Sequence, residues 1–131
     1  MKDYPMTMPT PFAIAGQIAA YTEGDEWMEQ VCEYIEGNLD FVIDFFAREM
    51  PWVKIAKPEG TYCLWLDFTA SGLSGDEIHD RIYNKANVLL QDGTVHDPIE
   101  GHCFQRMCVP CARSVLETAC KRIAKEFEDI K

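Results

Sequence analysis

Cys108 and Cys111 stand in a Cys-x-x-Cys arrangement, the spacing at which one thiolate attacks a disulfide and its neighbour resolves it. Set between an expected strand and an expected helix, the pair has the placement of a thioredoxin-type centre. A long helical N-terminal half precedes the only sheet, however, and that order of elements is not thioredoxin's. His96, His102 and Cys103 add imidazoles and a thiolate, ligands suited to tetrahedral zinc. Zinc modules usually present two close ligand pairs on tight turns, and strand alternation should point Cys103 and Cys108 to opposite faces. The favoured reading of the 6 cysteines, at 32, 63, 103, 108, 111 and 120, is therefore small reduced core residues. No metal ligand and no catalytic residue is assigned.

Arg106 is the remaining candidate, in the otherwise apolar run Phe104-Gln105-Arg106-Met107. One reading is an edge-strand arginine paired with one of the many surface acids. The other is a fork that grips a carboxylate, since a guanidinium presents paired donors to two oxygens. Spacing alone leaves the two nearly even.

The elements that must position these residues follow from periodicity. Thr10 before Pro11 is a good helix start, and a first helix is expected from about Phe12 to Tyr21, ending at Gly24. Its small residues would let another backbone approach closely. From Asp25 to Met50 the apolar residues Trp27, Val31, Tyr34, Ile35, Leu39, Val42, Phe45 and Phe46 recur at the spacing of one helix face, and Pro51 stops the pattern. At 1.5 Å per residue this helix is on the order of 40 Å long, more than so small a core needs.

The period then changes to two. Residues 53–57 and 61–68 alternate around Pro58-Glu59-Gly60 and predict an antiparallel hairpin. Ser74 with Glu77 is a capping-box pair, and Ile78, Ile82 and Ala86 give the following helix its buried stripe. Val88-Leu89-Leu90 reads as a short buried strand, residues 94–102 as a loop and residues 103–109 as the last strand. Ser114 with Glu117 predicts a second capping box. Leu116, Ala119, Cys120, Ile123, Phe127 and Ile130 form the stripe of a final amphipathic helix. The expected class is α+β: a small, mainly antiparallel sheet covered by helices and preceded by a long interdomain-type helix. Residues 1–10 are expected to be a linker or arm, residues 11–50 interdomain helices and residues 51–131 the sheet layer.

The 131 residues are of single-domain length and are 47% hydrophobic, enough for one core. The 22 acidic against 12 basic residues, a formal charge of -10, repel a phosphate backbone or an anionic lipid surface. Nucleic acid and membrane are thus not expected partners. The apolar runs fall short of the roughly 20 residues a membrane span requires. The N-terminus has no apolar secretory stretch, and the expected compartment is the cytoplasm.

Three stretches together resemble a known family: residues 58–67 (Pro-Glu-Gly-Thr-Tyr-Cys-Leu-Trp-Leu-Asp), Asn87-Val88-Leu89-Leu90-Gln91-Asp92-Gly93, and Phe104-Gln105-Arg106-Met107 followed by Arg113-Ser114. They look like the C-terminal small domain of class I/II (fold type I) pyridoxal-phosphate aminotransferases. The most similar branch is that of the carbon-sulfur lyases resembling cystathionine β-lyase. Ala19-Ala20-Tyr21, Gly24, Trp27 and Asn38 resemble the interdomain region of the same enzymes. The resemblance implies that Arg106 binds the α-carboxylate of an amino-acid substrate. It also implies that pyridoxal phosphate belongs to the parent enzyme, bound by a large domain upstream that is this chain's partner. None of the lysines here sits in the family's serine-rich lysine motif, so no bound cofactor and no activity are expected of the chain alone. Exposed apolar surface where the large domain would pack predicts a homo-oligomer. The sequence departs from the family pattern in having Cys108 where asparagine commonly follows the arginine, and His96-Asp97-Pro98 where a phenylalanine-glycine pair is usual. A non-catalytic binding or scaffold module that keeps this fold is the alternative reading.

Overall fold

Thr10 opens the first helix as expected: its hydroxyl accepts from the Ala13 amide at 3.2 Å, and α1 runs Pro11–Glu23. The computed structural model describes residues 8–130, so residues 1–7 of the expected arm lie outside the described residues. The chain divides into two compact units, the first ending at Tyr34 and the second beginning at Ile35. In the first unit α1 is apolar around most of its circumference and buries none of its residues.

The helix α2, Asp25–Glu49, spans the unit boundary. Its 3.6-residue period holds throughout, but burial begins only at Asn38, with Leu39, Val42, Phe45 and Phe46 beneath it. Trp27 and Tyr34, on the expected stripe, are exposed. In the second unit the expected hairpin forms from β1, Lys54–Ile55, and β2, Cys63–Asp67, paired antiparallel with Lys54 opposite Asp67. A two-residue β1 is shorter than the alternating run 53–57 predicts.

Ser74 and Glu77 form the expected reciprocal capping box at the start of α3, Gly75–His79. Asp80–Lys85 continue it as π-helical turns, with Ile78, Ile82 and Ala86 all buried. The next strand is displaced from its expected place. Asn87 takes a positive φ of 53° and the Val88 amide closes back on the Ile82 carbonyl at 3.0 Å, so residues 88–90 are spent leaving the helix. Pairing starts only at β3, Gln91–Asp92. The strand β4, Phe104–Cys108, lies inside its expected range. Between β3 and β4, Gly93 and Gly101 pack so closely that a Cβ on either would collide with the other's backbone.

The sheet order is β1-β2-β4-β3 with every pairing antiparallel. The expected α+β class, a small antiparallel sheet with helices, is what the chain adopts. Leu64, Leu66, Gln105 and Met107 point into the core with Phe46, Ile78, Leu116, Cys120, Ile123 and Phe127. The opposite sheet face carries Cys63, Trp65, Asp67, Phe104, Arg106 and Cys108, all half-buried or exposed.

The last helix, α4, is Arg113–Glu126. Of its expected stripe Leu116, Cys120, Ile123 and, just past the helix end, Phe127 are buried while Ala119 and Ile130 are half-buried, but the capping box at Ser114 does not form: Ala112 is the N-cap and makes no side-chain cap bond. The start is set from outside the helix. Asn38 of α2, fully buried, donates to the Val109 and Cys111 carbonyls at 2.9 Å each and accepts from Arg113 Nε at 2.8 Å. That clamp fixes the turn leaving β4 and places Ser114 two positions past the N-cap, too deep to cap.

Candidate functional site

Arg106 stands on an interior strand. The expectation of an edge strand is corrected by the sheet order, in which β4 lies between β2 and β3. Its ladder partners are Trp65 on one side and Gln91 on the other. The Val109 amide bonds to the Tyr62 carbonyl at 3.1 Å and the Phe68 amide to the Cys103 carbonyl at 2.9 Å. With the register fixed, those pairs are the hydrogen-bonded ones. Cys63 with Cys108, Trp65 with Arg106 and Asp67 with Phe104 occupy the alternate, non-hydrogen-bonded positions, where side chains come closest.

The guanidinium donates through Nη1 to Gln91 Oε1 at 2.8 Å and through Nη2 to Cys63 Sγ at 3.1 Å. Gln91 Oε1 also lies 3.0 Å from His96 Nε2, and His96 meets the Trp65 ring edge-on with centroids 5.5 Å apart. Among the described residues no carboxylate forms an ion pair with Arg106. In a chain with 22 acidic residues, an arginine bound only by an amide and a thiol is set apart. It opens on a groove of about 560 Å³ lined by Lys57, Pro58, Cys63, Trp65, His96 and Arg106 among others.

Beneath this face a polar network holds β3 to β4. Gln105, 1% exposed, donates to Asp92 Oδ2 at 3.3 Å, and the Thr94 amide donates to Asp92 Oδ1 at 2.8 Å. Burial raises the Asp92 carboxyl, but the bonds from Thr94 and Gln105 outweigh it and hold the group below the usual carboxylate range. Gln91, next in the chain, is thereby held against Arg106.

The five described lysines, at 54, 57, 85, 121 and 125, are exposed. Lys57, at the groove, bonds to Asp40 at 2.6 Å and Glu36 at 3.3 Å. The Asp40 bond leads in raising its pKa, the reverse of the desolvated amine that Schiff-base chemistry uses.

The cysteines do not share one environment. Cys120 is buried, and burial followed by the nearby Cys111 pushes its thiol up to about 12, the inert core residue expected of all six. Cys32 and Cys108 are exposed and Cys63, Cys103 and Cys111 intermediate. Cys108 faces Cys63, with Sγ atoms 3.3 Å apart, a pairing that belongs neither to the Cys-x-x-Cys spacing nor to the zinc set. Among the described residues no three His, Cys, Asp or Glu side chains converge as a metal site, and no helix is long and apolar enough to cross a membrane. Trp65, Gln91 and Cys63 are site residues that sequence reasoning missed; their place beside Arg106 follows from strand register.

A small four-stranded antiparallel sheet backed by helices is the architecture of the C-terminal small domain of class I/II (fold type I) pyridoxal-phosphate enzymes. Within them the chain lies on the cystathionine β-lyase-like branch. It is 38% identical over 112 residues to cystathionine beta-lyase PatB of Bacillus subtilis, a match covering 86% of this chain and 29% of that protein. The protein MalY of Escherichia coli is 27% identical over 112 residues, with 86% and 28% covered. Among solved structures, a Clostridium difficile protein with pyridoxal phosphate bound superposes at a TM-score of 0.85 with 40% identity, over 90% of this chain and 30% of that one. Cystalysin of Treponema denticola, which contains the same cofactor, superposes at 0.88 with 26% identity, over 97% and 32%. The chain thus spans less than a third of the length of these relatives. No protein-family model matches it.

Proposed function

We propose that the chain is the substrate-carboxylate domain of a cytoplasmic pyridoxal-phosphate enzyme, a carbon-sulfur lyase or aminotransferase acting on amino acids, with residues 11–50 as interdomain helices and residues 51–131 as the sheet layer. The observation that carries this reading is Arg106: an interior-strand guanidinium on the open sheet face, opening on a groove and bound only by neutral partners. A carboxylate arriving there meets a positive fork with no internal acid to displace, which is the arrangement that favours two charge-assisted bonds.

The residues present do not fit the cofactor. The described lysines are exposed, and the one at the groove is ion-paired. Pyridoxal phosphate and its lysine are accordingly assigned to a large upstream domain, the proposed partner, and the chain alone is inactive. The cofactor supplies an electron sink for bonds broken at the substrate's α-carbon. This chain's residues bind and orient: Arg106 holds the carboxylate, Gln91 keeps the guanidinium aimed, and Trp65 with His96 walls the groove.

The test joins this chain to the upstream portion of the Bacillus subtilis relative and compares amino-acid substrates with amines lacking the carboxylate. Arg106→Ala is expected to weaken transition-state binding by about 2 to 4 kcal/mol for the amino acid, since each hydrogen bond to a charged group contributes about 1.5 to 3 and the two are not additive. Arg106→Lys is expected to recover little, because an ammonium is a point charge and no fork. For the amine the loss should be near zero. An equal loss for both substrates would overturn the assignment.

A further inference from the structure

We infer that Cys63 and Cys108 are an oxidisable cross-strand dithiol, a modification site on the open sheet face that takes a two-electron oxidant of the hydroperoxide class. The two Sγ atoms are 3.3 Å apart. The residues are direct antiparallel partners on β2 and β4, at a position the flanking Tyr62–Val109 bond marks as non-hydrogen-bonded. Such pairs hold their Cα atoms about 4.5 Å apart, inside the range of roughly 4.4 to 6.8 Å that a disulfide spans. Joining them therefore takes side-chain rotation and no shift of the strands. Cys108 is exposed and Cys63 half-buried, so peroxide reaches the pair, whereas Cys120 is sealed in the core.

The neighbours assign the order of events. Arg106 Nη2 donates to Cys63 Sγ at 3.1 Å, so a cation faces the electron pair of that sulfur. The Cys108 thiol is pushed up, first by the partial desolvation of its sulfur against the sheet and then by its hydrogen bond to Cys63, which keeps the proton on Cys108. With hydrogen peroxide, Cys63 sulfur attacks one oxygen and becomes a sulfenic acid as the O–O bond breaks, and the departing hydroxide takes the Cys63 proton and leaves as the first water. Cys108 sulfur then attacks Cys63 sulfur. The S–S bond forms, the C–S–OH hydroxyl departs with the Cys108 proton as the second water, and two thiols have been oxidised for one peroxide reduced. The pair adjoins the guanidinium, so its oxidation changes the acceptor offered to Arg106. The Cys108-x-x-Cys111 spacing plays no part.

The full chain is treated with a small excess of hydrogen peroxide, unfolded, titrated for thiols and mapped without reduction. The expected result is loss of two of the six thiols, a mass lower by two hydrogens, a single Cys63–Cys108 linkage, and full reversal by dithiothreitol. Cys111→Ser should leave that linkage intact. In Cys108→Ser, Cys63 should persist as a sulfenic acid that dimedone captures. A linkage between Cys108 and Cys111, a linkage only between chains, or no loss of a thiol pair would each overturn the proposal.

Discussion

At Arg106 a guanidinium is matched with an amide oxygen and a sulfur, and this decides what each neighbour can do. Neutral acceptors orient the fork without cancelling its charge, so a carboxylate keeps its full electrostatic gain on binding. Gln91 is the more directional of the two and also touches His96. In the rebuilt enzyme, Gln91→Ala is expected to cost about 1 kcal/mol, roughly five-fold in kcat/KM, the net value of one ordinary hydrogen bond. Gln91→Glu makes a sharper prediction: it places an internal carboxylate where none stands now. That side chain should compete with the substrate, so KM for the amino acid should rise more than in Gln91→Ala while the carboxylate-free amine is unaffected. Steady-state kinetics on both substrates check this, and a KM no higher in the Glu variant than in the Ala variant would count against the carboxylate role.

At the scale of elements, Asp92 and Gln105 fasten the edge strand β3 to β4. Asp92→Ala leaves the Gln105 amide, 1% exposed, without its acceptor, a loss of about 1 to 3 kcal/mol. Because the folded Asp92 carboxyl lies below its ordinary value, the stabilisation is complete above the unfolded pKa, about 3.9, and disappears as pH falls through the depressed folded value. Urea midpoints of the native chain and Asp92→Ala should therefore differ at neutral pH and converge in acid. A gap that is constant down to pH 2 would place the effect elsewhere. Elements whose signals are local were legible in the sequence: the Thr10 cap, the Ser74–Glu77 box, the long period of α2 and the stripe of α4. What was not legible is non-local. The position of β3 depends on how Asn87 and Val88 end the preceding helix. The failure of the Ser114 box depends on Asn38, far upstream, clamping Val109, Cys111 and Arg113. The Cys63–Cys108 pairing depends on the register of β2 with β4. Alternation along β4 says which of its residues share a face, yet only the register says which residues of the neighbouring strand stand beside them.

At the scale of the whole molecule, the net charge of -10 and the apolar first unit pull association in opposite directions. Phe12, Ile18, Tyr21 and Trp27 are 89%, 59%, 80% and 64% exposed. A groove of about 610 Å³ lies in the same unit among Ala20, Tyr21, Gly24, Asp25, Trp27 and Met28. A helix apolar around its circumference is ordinarily buried against a partner, and contiguous apolar patches above a few hundred Å² favour association. In the proposed parent enzyme that partner belongs to the large domain; in the isolated chain another copy is the available apolar surface. The expected outcome is self-association, with a weight-average mass by sedimentation velocity rising above the 15.0 kDa of one chain as concentration increases. Salt fixes the sign of the electrostatic share. Like-charged chains repel, and at 0.15 M the Debye length is already about 8 Å, so association should strengthen as salt is raised from a few millimolar. Phe12→Ser combined with Ile18→Lys removes two exposed apolar side chains and should move the population toward monomer. The urea midpoint of the second unit should not change, since neither side chain is buried. A native chain that remains monomeric at every concentration and salt, or an association that weakens as salt is added, would show that the first unit's apolar surface is not what brings copies together.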